Sequence, residues 1–309
     1  MKIVLVTGAS GFIGSNAIAT LVEMGYEVHA ISSRDLIGRK HIPGLIWSKV
    51  NLFNFHDVAS YLGRIKATHL LHFAWYAEHG KFWDSVENYG WMYATNNLVQ
   101  SFINCGGRRF VISGSCAEYD WKQSKYVENE SVIGPSTLYG QIKNLTRISV
   151  ENIAKENNIS YGWGRIFYLY GSGESAGRLV PVAIDCLSRG ERLKCTDGKQ
   201  LRDYMHVQDV ARAFCLFLDG EVNGVVNIAS GKSVEIRKII SIVAGHFGAR
   251  KLVDFGALKS RESEPNDICA DITRLKNEVG FKERWTLREG ILNTVDQAMK
   301  CSQKNGRSI

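Results

Sequence analysis

The 309-residue sequence predicts an α/β fold in which a doubly wound parallel sheet carries a smaller mixed α/β lobe towards its C-terminus. Short apolar runs alternate with amphipathic helical patterns as far as residue 169, which is typical of parallel strands joined by crossover helices. A glycine-rich segment, residues 8–14, directly follows the first apolar run. Beyond residue 170 the alternation loosens, and this change predicts the second lobe.

The composition is that of an ordinary globular protein, with 45% hydrophobic and 22% charged residues. No apolar run has the length of a membrane span, and the start of the chain does not read as a signal peptide. Seven cysteines without a Cys-x-x-Cys pair argue against a disulfide framework and a metal site. We therefore expect a cytoplasmic protein with no metal and no membrane partner.

The net charge of +7 suits an anionic ligand such as a nucleotide. A solvated basic surface explains the charge alone equally well. The sequence has no basic run with interleaved aromatic residues, so we expect no nucleic-acid partner.

Residues 2–7 predict a buried first strand, after which three glycines at a spacing of three lead into a helix over residues 12–24. Glycines in such a unit permit a tight turn and the close approach of a pyrophosphate to the backbone. Free N–H groups at the helix N-terminus then bind the phosphates. A turn without a ligand is the alternative, but this context favours a Rossmann-type dinucleotide site. Its predicted residues are Gly8, Gly11, Phe12, Ile13 and Gly14.

The second predicted strand, residues 27–31, ends at Ser32, Ser33 and Arg34. In NAD-binding domains a carboxylate about 20 positions after the glycines binds the ribose 2′-hydroxyl, but here Asp35 comes late. Two hydroxyl groups and a guanidinium suit a 2′-phosphate instead, so NADP(H) is favoured and NAD(H) is the alternative. An exposed loop arginine without a ligand would also explain Arg34.

The third and fourth predicted strands end in further candidate contacts for the cofactor. The end of the third strand is expected to contact adenine. At the end of the fourth strand, the small Ala74 leaves room for a flat ring. His72 is a weaker catalytic candidate, because a histidine at a strand end more often bonds the backbone. The candidate contacts are Asn51 and Leu52 after residues 45–50, and Phe73 and Ala74 at the end of residues 68–73.

Tyr139 and Lys143 are four residues apart, so a helix over residues 135–155 brings both side chains to one face. A neighbouring ammonium favours the phenolate, and the pair can exchange a proton with a substrate oxygen. Ser115, which follows a predicted strand at residues 108–113, can hydrogen-bond the same oxygen. Because ligands of such sheets bind at the carboxyl ends of the strands, we expect these residues to meet the glycine loop there.

This pattern predicts two structural units, each formed by segments that are not continuous in the sequence. Residues 1–170 are expected to form the dinucleotide-binding domain, which residues 204–228 rejoin. Residues 171–203 and 229–309 form a lobe that is too short to be independent and lies over the ligand end of the sheet. The predicted later elements are a sixth strand at 159–169, helices at 178–190, 209–218, 234–247 and 287–299, and a short strand at 225–228.

Five motifs, taken in order, resemble the extended short-chain dehydrogenase/reductases, the family of nucleotide-sugar epimerases, dehydratases and reductases. The likeness covers nearly the whole chain, and it implies NAD(P) in the Rossmann domain and a nucleoside diphosphate sugar in the second lobe. The motifs are Gly8-x-x-Gly11-x-x-Gly14, Ser115 four residues before Tyr119, Tyr139-x-x-x-Lys143, Arg165-Ile166-Phe167 and Arg202-Asp203-Tyr204-x-His206-Val207.

The same resemblance implies roles for individual residues. Ser115, Tyr139 and Lys143 are the implied catalytic residues; Tyr139, Lys143 and Phe167 also contact the cofactor. Arg202 and Arg261 resemble the family's diphosphate-binding arginines, and their guanidinium groups suit bidentate phosphate contacts. The predicted substrate-binding residues are Ser115, Cys116, Arg178, Arg202 and Arg261. In this family, helices such as those at 83–105 and 136–157 pair with their copies, which implies a homodimer.

Departures from the family pattern reduce the number of reactions that the chain is expected to catalyse. Sugar 4,6-dehydratases have Thr-Asp-Glu where this chain has Ser115-Cys116-Ala117, so the acid pair is missing and Glu118 is one position late. Residues 115–121 resemble a signature of deoxysugar 4-ketoreductases. We therefore expect an NADPH-dependent reductase of a nucleoside diphosphate 4-keto-6-deoxysugar. An NAD-dependent 4-epimerase is the alternative, and a dinucleotide-binding sensor without catalysis is a third interpretation.

Overall fold

The computed structural model describes residues 2–35, 41–259 and 265–304. Strands and helices alternate along this chain. The strands are β1 (Ile3–Thr7), β2 (Glu27–Ser32), β3 (Leu45–Lys49), β4 (His69–His72), β5 (Arg109–Ser115), β6 (Lys125–Tyr126), β7 (Ser160–Ile166), β8 (Tyr168–Tyr170), β9 (Leu193–Cys195), β10 (Leu201–His206), β11 (Gly224–Ile228), β12 (Ser233–Glu235), β13 (Val253–Phe255) and β14 (Asp267–Ala270). The helices are α1 (Phe12–Glu23), α2 (Phe55–Ile65), α3 (Glu87–Asn104), α4 (Leu138–Glu156), α5 (Leu179–Ser188), α6 (Val207–Asp219), α7 (Ile236–His246), α8 (Thr273–Asn277) and α9 (Leu287–Lys304), with short 3₁₀ helices at Phe82–Asp84, Cys116–Glu118 and Arg250–Leu252.

Seven parallel strands form the main sheet, in the order β3-β2-β1-β4-β5-β7-β11. The chain moves outward in one direction from β1 to β3 and in the other from β4 to β11, so the order reverses between β1 and β4. At this switch point Thr7 pairs with His72, next to the glycine segment. The predicted α/β fold with a doubly wound parallel sheet is confirmed. Ligands of such sheets bind at the carboxyl ends of the strands beside this point.

Both faces of the sheet are buried, as the apolar strands predict. Val4 of β1 packs in a core with Leu21 of α1 and Phe214 of α6. The next residue, Leu5, faces the other side and packs in a core with Leu98 of α3. Successive strand residues therefore pack against helices on opposite faces of the sheet.

The prediction of one sixth strand over residues 159–169 was wrong. The strand β7 ends at Ile166, and the chain then leaves the main sheet: β8 pairs instead with β10 in a second, smaller sheet. Between the two strands, the Phe167 amide donates to the carbonyl of Ile228. An unbroken apolar run cannot reveal such a change of sheet, because both segments are buried or half-buried.

The second sheet combines short strands from distant parts of the chain, in the order β12-β10-β14-β6 with β8 beside β10. Helices α5, α7 and α9 enclose a separate core near it, which includes Ile184, Ile240 and Ile291. Because β8 continues from β7 and pairs with β10, the two sheets are joined close to the carboxyl end of β7.

Candidate active site

In the glycine loop at the end of β1, Gly8 and Gly14 have no space for a side chain. Gly8 has φ +62°, and a Cβ atom on it would lie 2.7 Å from the Ala74 amide nitrogen. A Cβ atom on Gly14 would collide with the Gly8 carbonyl. Gly11 precedes α1 and supplies no side-chain cap, so the first N–H groups of the helix, from Phe12 onward, have no capping side chain. This cradle fits a pyrophosphate, as the sequence predicts.

Next to this loop, the turn after β2 carries the residues expected to select the cofactor. The Ser32 hydroxyl lies 3.0 Å from that of Ser10 in the glycine loop and accepts from the Arg34 amide at 3.1 Å. The Ser33 and Arg34 side chains are exposed. Asp35 forms an ion pair with Lys49 of β3 at 2.6 Å. Ser32 therefore orders the turn, and Ser33 and Arg34 remain as candidate phosphate contacts.

The ends of β3 and β4 carry the other predicted cofactor contacts. Asn51 is exposed, although its Oδ1 accepts from the Phe53 amide, while Leu52 is buried. The Ala74 amide donates to the Thr7 hydroxyl at 3.2 Å, and Phe73 packs edge-on against a phenylalanine of α6. The structure brings these backbone segments to the same edge of the sheet as the glycine loop.

His72 is buried between two hydroxyl groups instead of bonding the backbone. Its Nδ1 lies 2.6 Å from the Thr7 hydroxyl, and its Nε2 lies 3.0 Å from that of Thr95. Burial and the nearby Lys143 ammonium lower its pKa to about 3. Both ring nitrogens are therefore engaged on a neutral imidazole, which links β1, β4 and α3 and does not favour a catalytic role.

Ser115, Tyr139 and Lys143 meet at the carboxyl end of β5. Ser115 is the last residue of that strand, and Tyr139 is the second residue of α4, which the Thr137 hydroxyl caps. Burial raises the pKa of Tyr139 above its ordinary value, while a hydrogen bond with Ser115 lowers it. The Lys143 ammonium donates to the Ser113 carbonyl at 2.9 Å and lies 5.9 Å from the centre of the Tyr139 ring.

The electrostatic state of Lys143 depends on its burial. The residue is only 2% exposed, and burial lowers its pKa to about 7, although Glu118 opposes this shift. At neutral pH the lysine is therefore close to its titration midpoint. An ammonium at this position favours the tyrosinate and so prepares Tyr139 for proton transfer.

Glu118 anchors the backbone of Ser115, a role that the sequence analysis missed. Its carboxylate accepts from the Ser115 amide at 2.8 Å, from the Trp163 indole at 2.9 Å and from the Arg165 guanidinium at 2.8 Å. Glu118 is fully buried, and the Arg165 side chain is only 2% exposed. The spacing Ser115-x-x-Glu118 is that of a capping box, which the structure contains, so this signal was present in the sequence.

Aromatic side chains surround Tyr139 and Lys143. The Tyr139 ring packs edge-on against Phe82 at 4.9 Å and Trp83 at 5.8 Å between ring centres. Trp75 lies over the Lys143 ammonium. These rings form an aromatic wall on one side of the site, a surface that suits a sugar or base.

Arg178, another predicted substrate-binding residue, contacts an aromatic side chain beside Tyr139. It directly precedes α5, and its guanidinium lies 5.7 Å from the centre of the Phe82 ring, which itself packs on Tyr139. Arg202 of β10 is only 1% exposed; its guanidinium lies over the Tyr168 ring and donates to the Leu201 carbonyl at 2.8 Å. Arg261 lies outside the described residues.

Cys116 is part of the hydrophobic core and is only 8% exposed. Burial raises the pKa of its thiol to about 12, so the group is uncharged at neutral pH. A contribution of Cys116 to substrate binding stays a prediction. A role as a base is disfavoured, because a buried thiol is a poor proton acceptor.

Across the described ranges, no group of three or more histidine, cysteine or acidic side chains is arranged to bind a metal ion. In the same part of the chain, no helix combines the length and apolar character needed to cross a membrane.

Comparison with protein families gives one match that covers most of the chain. Residues 4–229 match the model of the NAD-dependent epimerase/dehydratase family. Among curated proteins, CDP-abequose synthase of Salmonella typhimurium is 24% identical over 300 residues, which cover 93% of this chain and 95% of that protein.

Two solved structures extend the comparison. UDP-glucose 4-epimerase of Thermotoga maritima with UDP-glucose superposes with a TM-score of 0.84 at 22% identity, covering 97% of this chain and 99% of that one. MoeE5 in complex with UDP-glucose and NAD superposes with a TM-score of 0.82 at 26% identity, covering 96% and 99% of the two chains.

Proposed function

Because the chain belongs to the NAD-dependent epimerase/dehydratase family, we propose that it reduces a nucleoside diphosphate 4-keto-6-deoxysugar with NADPH. The observation that carries the proposal is the meeting of Ser115, Tyr139 and Lys143 at a site without the dehydratase acid pair. Glu118, the nearest carboxylate in sequence, is buried in hydrogen bonds to Ser115, Trp163 and Arg165. Among the described residues, the site therefore offers proton transfer to an oxygen but no acid pair next to Ser115 for the elimination of water.

The proposed mechanism assigns one step to each residue. Ser115 donates a hydrogen bond to the C4 carbonyl oxygen of the sugar and orients it. Tyr139 gives its proton to that oxygen as negative charge develops, and the Lys143 ammonium stabilises the tyrosinate that remains. NADPH, when bound, supplies the hydride. Glu118 fixes the backbone that carries Ser115, and so keeps the hydroxyl within reach of Tyr139.

The cofactor preference rests on the turn after β2. Ser33 and Arg34 expose a hydroxyl and a guanidinium beside the glycine loop, and these groups suit a 2′-phosphate. The carboxylate of Asp35 forms an exposed ion pair with Lys49 of β3. We propose NADP(H) on this ground, with the predicted contacts Gly8, Gly11, Phe12, Ile13, Gly14, Ser32, Ser33, Arg34, Asn51, Leu52, Phe73, Ala74, Tyr139, Lys143 and Phe167.

Similarity to an epimerase supports the alternative, an NAD-dependent nucleotide-sugar 4-epimerase. UDP-glucose 4-epimerase of Thermotoga maritima shares the fold, and NAD is bound in the MoeE5 structure. Similarity to a CDP-abequose synthase favours the reductase. Either activity would use Tyr139 for proton transfer, so the cofactor separates the two.

The deciding experiment is a titration of the purified protein with NADPH and NADH, followed by fluorescence, together with extraction of any retained nucleotide. The reductase predicts a preference for NADPH, no retained nucleotide, and oxidation of NADPH when 4-keto-6-deoxysugar nucleotides are added. Tightly retained NAD without a preference for the 2′-phosphate would contradict the proposal and favour the epimerase.

We also propose a homodimer and a cytoplasmic location. Tyr89 and Tyr93 on α3, and Leu145 and Ile148 on α4, are 41–61% exposed, and these two helices pack on each other. Large exposed apolar side chains on adjacent helices suit a contact between subunits. All seven cysteines are free thiols, which fits a reducing compartment. A strictly monomeric protein in sedimentation experiments would contradict the dimer.

A further inference from the structure

We propose that Trp75 is a positioning residue for Lys143. Its indole face contacts the Lys143 ammonium and favours the charged form of the lysine. One N–H group of the ammonium stays available to a ligand. The catalytic part of this inference rests on the proposed function, whereas the effect on the lysine charge does not. Trp75 directly follows Ala74, one of the predicted cofactor contacts at the carboxyl end of β4.

The contact between the two side chains is close. The Lys143 nitrogen lies 3.6 Å from the centre of the Trp75 ring, well within the range of cation–π interactions. The same nitrogen donates to the Ser113 carbonyl at 2.9 Å. An ammonium has three N–H donors, so these two contacts leave one for a ligand or the Tyr139 hydroxyl. Trp75 thereby restricts the directions in which the lysine can act.

Buried hydrogen bonds fix the orientation of Trp75. Its indole nitrogen donates to Asn88 Oδ1 at 2.8 Å. Asn88 is fully buried, and its amide nitrogen donates to the carbonyls of Phe82 and Ser85, each at 2.8 Å. These bonds determine which way the Asn88 amide points, and therefore where the indole N–H must lie. Trp91 of α3 packs beside the indole, with 6.4 Å between ring centres.

The charge of Lys143 is balanced between opposing influences. Burial lowers its pKa, whereas the Glu118 carboxylate after β5 raises it. His72 of β4 and Tyr139 of α4 also face the ammonium, and His72 is neutral because its own pKa is lowered to about 3. An aromatic face stabilises the ammonium and has little interaction with the neutral amine. Trp75 therefore acts against burial and keeps more of the lysine charged at neutral pH.

The test compares Trp75→Phe with Trp75→Leu in the full chain. Both variants lose the indole N–H donor to Asn88 and both are smaller, but only phenylalanine keeps an aromatic face. The titration of Lys143 is followed by NMR on protein that carries ¹³C at lysine Cε, and Lys143→Met identifies the signal. Thermal unfolding checks the fold of each variant, and Trp75→Met replaces Trp75→Leu if the latter does not fold.

We expect the titration midpoint of Lys143 to fall by roughly one pH unit in Trp75→Leu and to stay near the wild-type value in Trp75→Phe. Equal midpoints in the two variants, or a higher midpoint in Trp75→Leu, would overturn the inference. The measurement uses no sugar substrate and no turnover. A protein that reduces no keto sugar but shows the expected difference would refute the proposed function and leave the role of Trp75 intact.

Discussion

On the parallel-sheet side of the candidate site, hydrogen bonds tie Ser115 and Lys143 to neighbouring groups. Arg178 and Glu174, on the side of the second lobe, lie in the segment between β8 and α5. Oε2 of Glu174 is buried and has no hydrogen-bond partner among the described residues. Burial raises the pKa of this carboxyl to about 8, although Arg178 lowers it. On the first side the fold thus holds the catalytic groups in place, while the second side has a buried polar group without a partner in the described part of the chain, which suits a polar ligand.

This contrast predicts different effects for substitutions on the two sides. On the sheet side, removing a group should abolish chemistry or destabilise the fold, because each group is part of a fixed network. On the side of the second lobe, removing a group should weaken substrate binding and leave the fold nearly unchanged.

The largest effect is expected for Tyr139→Phe. Without the phenol the sugar oxygen has no proton donor, and kcat for reduction should fall by about 10²–10⁴-fold. Binding of NADPH, measured by fluorescence titration, should stay close to wild type. Tyr89→Phe on the exposed face of α3 is the matched control: it keeps the aromatic ring of the proposed subunit contact and should retain full activity.

Retained activity in Tyr139→Phe would show that another group donates the proton. If the wild type turned over no keto sugar and the variant bound cofactor normally, the interpretation as a sensor without catalysis would be favoured over both enzymes.

A large loss of stability is expected for Glu118→Gln. The substitution removes the negative charge beside Arg165, whose side chain is only 2% exposed, and leaves a buried cation without its partner. Breaking such a pair from one side costs about 3–5 kcal/mol in the free energy of unfolding. Urea denaturation measures the loss. Glu191→Gln is the control: Glu191 forms an ion pair with Arg189 on the exposed surface, and its loss should cost no more than about 1 kcal/mol.

The double variant Glu118→Gln/Arg165→Met sharpens this test. Since it removes both charges, it should be more stable than Glu118→Gln alone. The opposite result is a loss of stability in the double variant that equals the sum of the losses in Glu118→Gln and Arg165→Met. That result would show that the hydrogen bonds of Glu118 to Ser115 and Trp163 contribute more to stability than the ion pair does.

The sequence predicted the sheet side of the site far better than the opposite side, and the reason is distance along the chain. The segment from β1 through the glycine loop to α1 is continuous, and Tyr139 and Lys143 lie one turn apart, so local patterns were sufficient. The second sheet joins strands of two to six residues from positions between 125 and 270, and no local pattern marks such pairings. The resemblance, and not the residues alone, pointed to the arginines there.

Two misses on the sheet side have the same cause. The hydrogen bonds of His72 with Thr7 and Thr95 depend on which strand and helix become its neighbours. The role of Glu118 depends on Arg165, 47 residues further along the chain, which reaches it only because β5 and β7 pair. The capping-box spacing could have predicted the bond to Ser115, but not the buried ion pair.

The smallest effect on the fold, and the clearest difference between the two sides, is expected for Arg178→Ala. The residue is half-buried and precedes α5 without capping it by its side chain, so the free energy of unfolding should change by no more than about 1 kcal/mol. If its guanidinium binds the substrate, KM for the sugar nucleotide should rise by about 10–100-fold with a smaller change in kcat. Arg189→Ala at the other end of α5 is the matched control, because Arg189 is exposed and pairs only with Asp185 and Glu191 among the described residues.

Equal KM values for the two variants would remove Arg178 from the binding site. A loss of kcat without a change in KM would instead place Arg178 with Ser115, Tyr139 and Lys143, since its charge also lowers the pKa of Tyr139, and the division between a catalytic and a binding side would then fail.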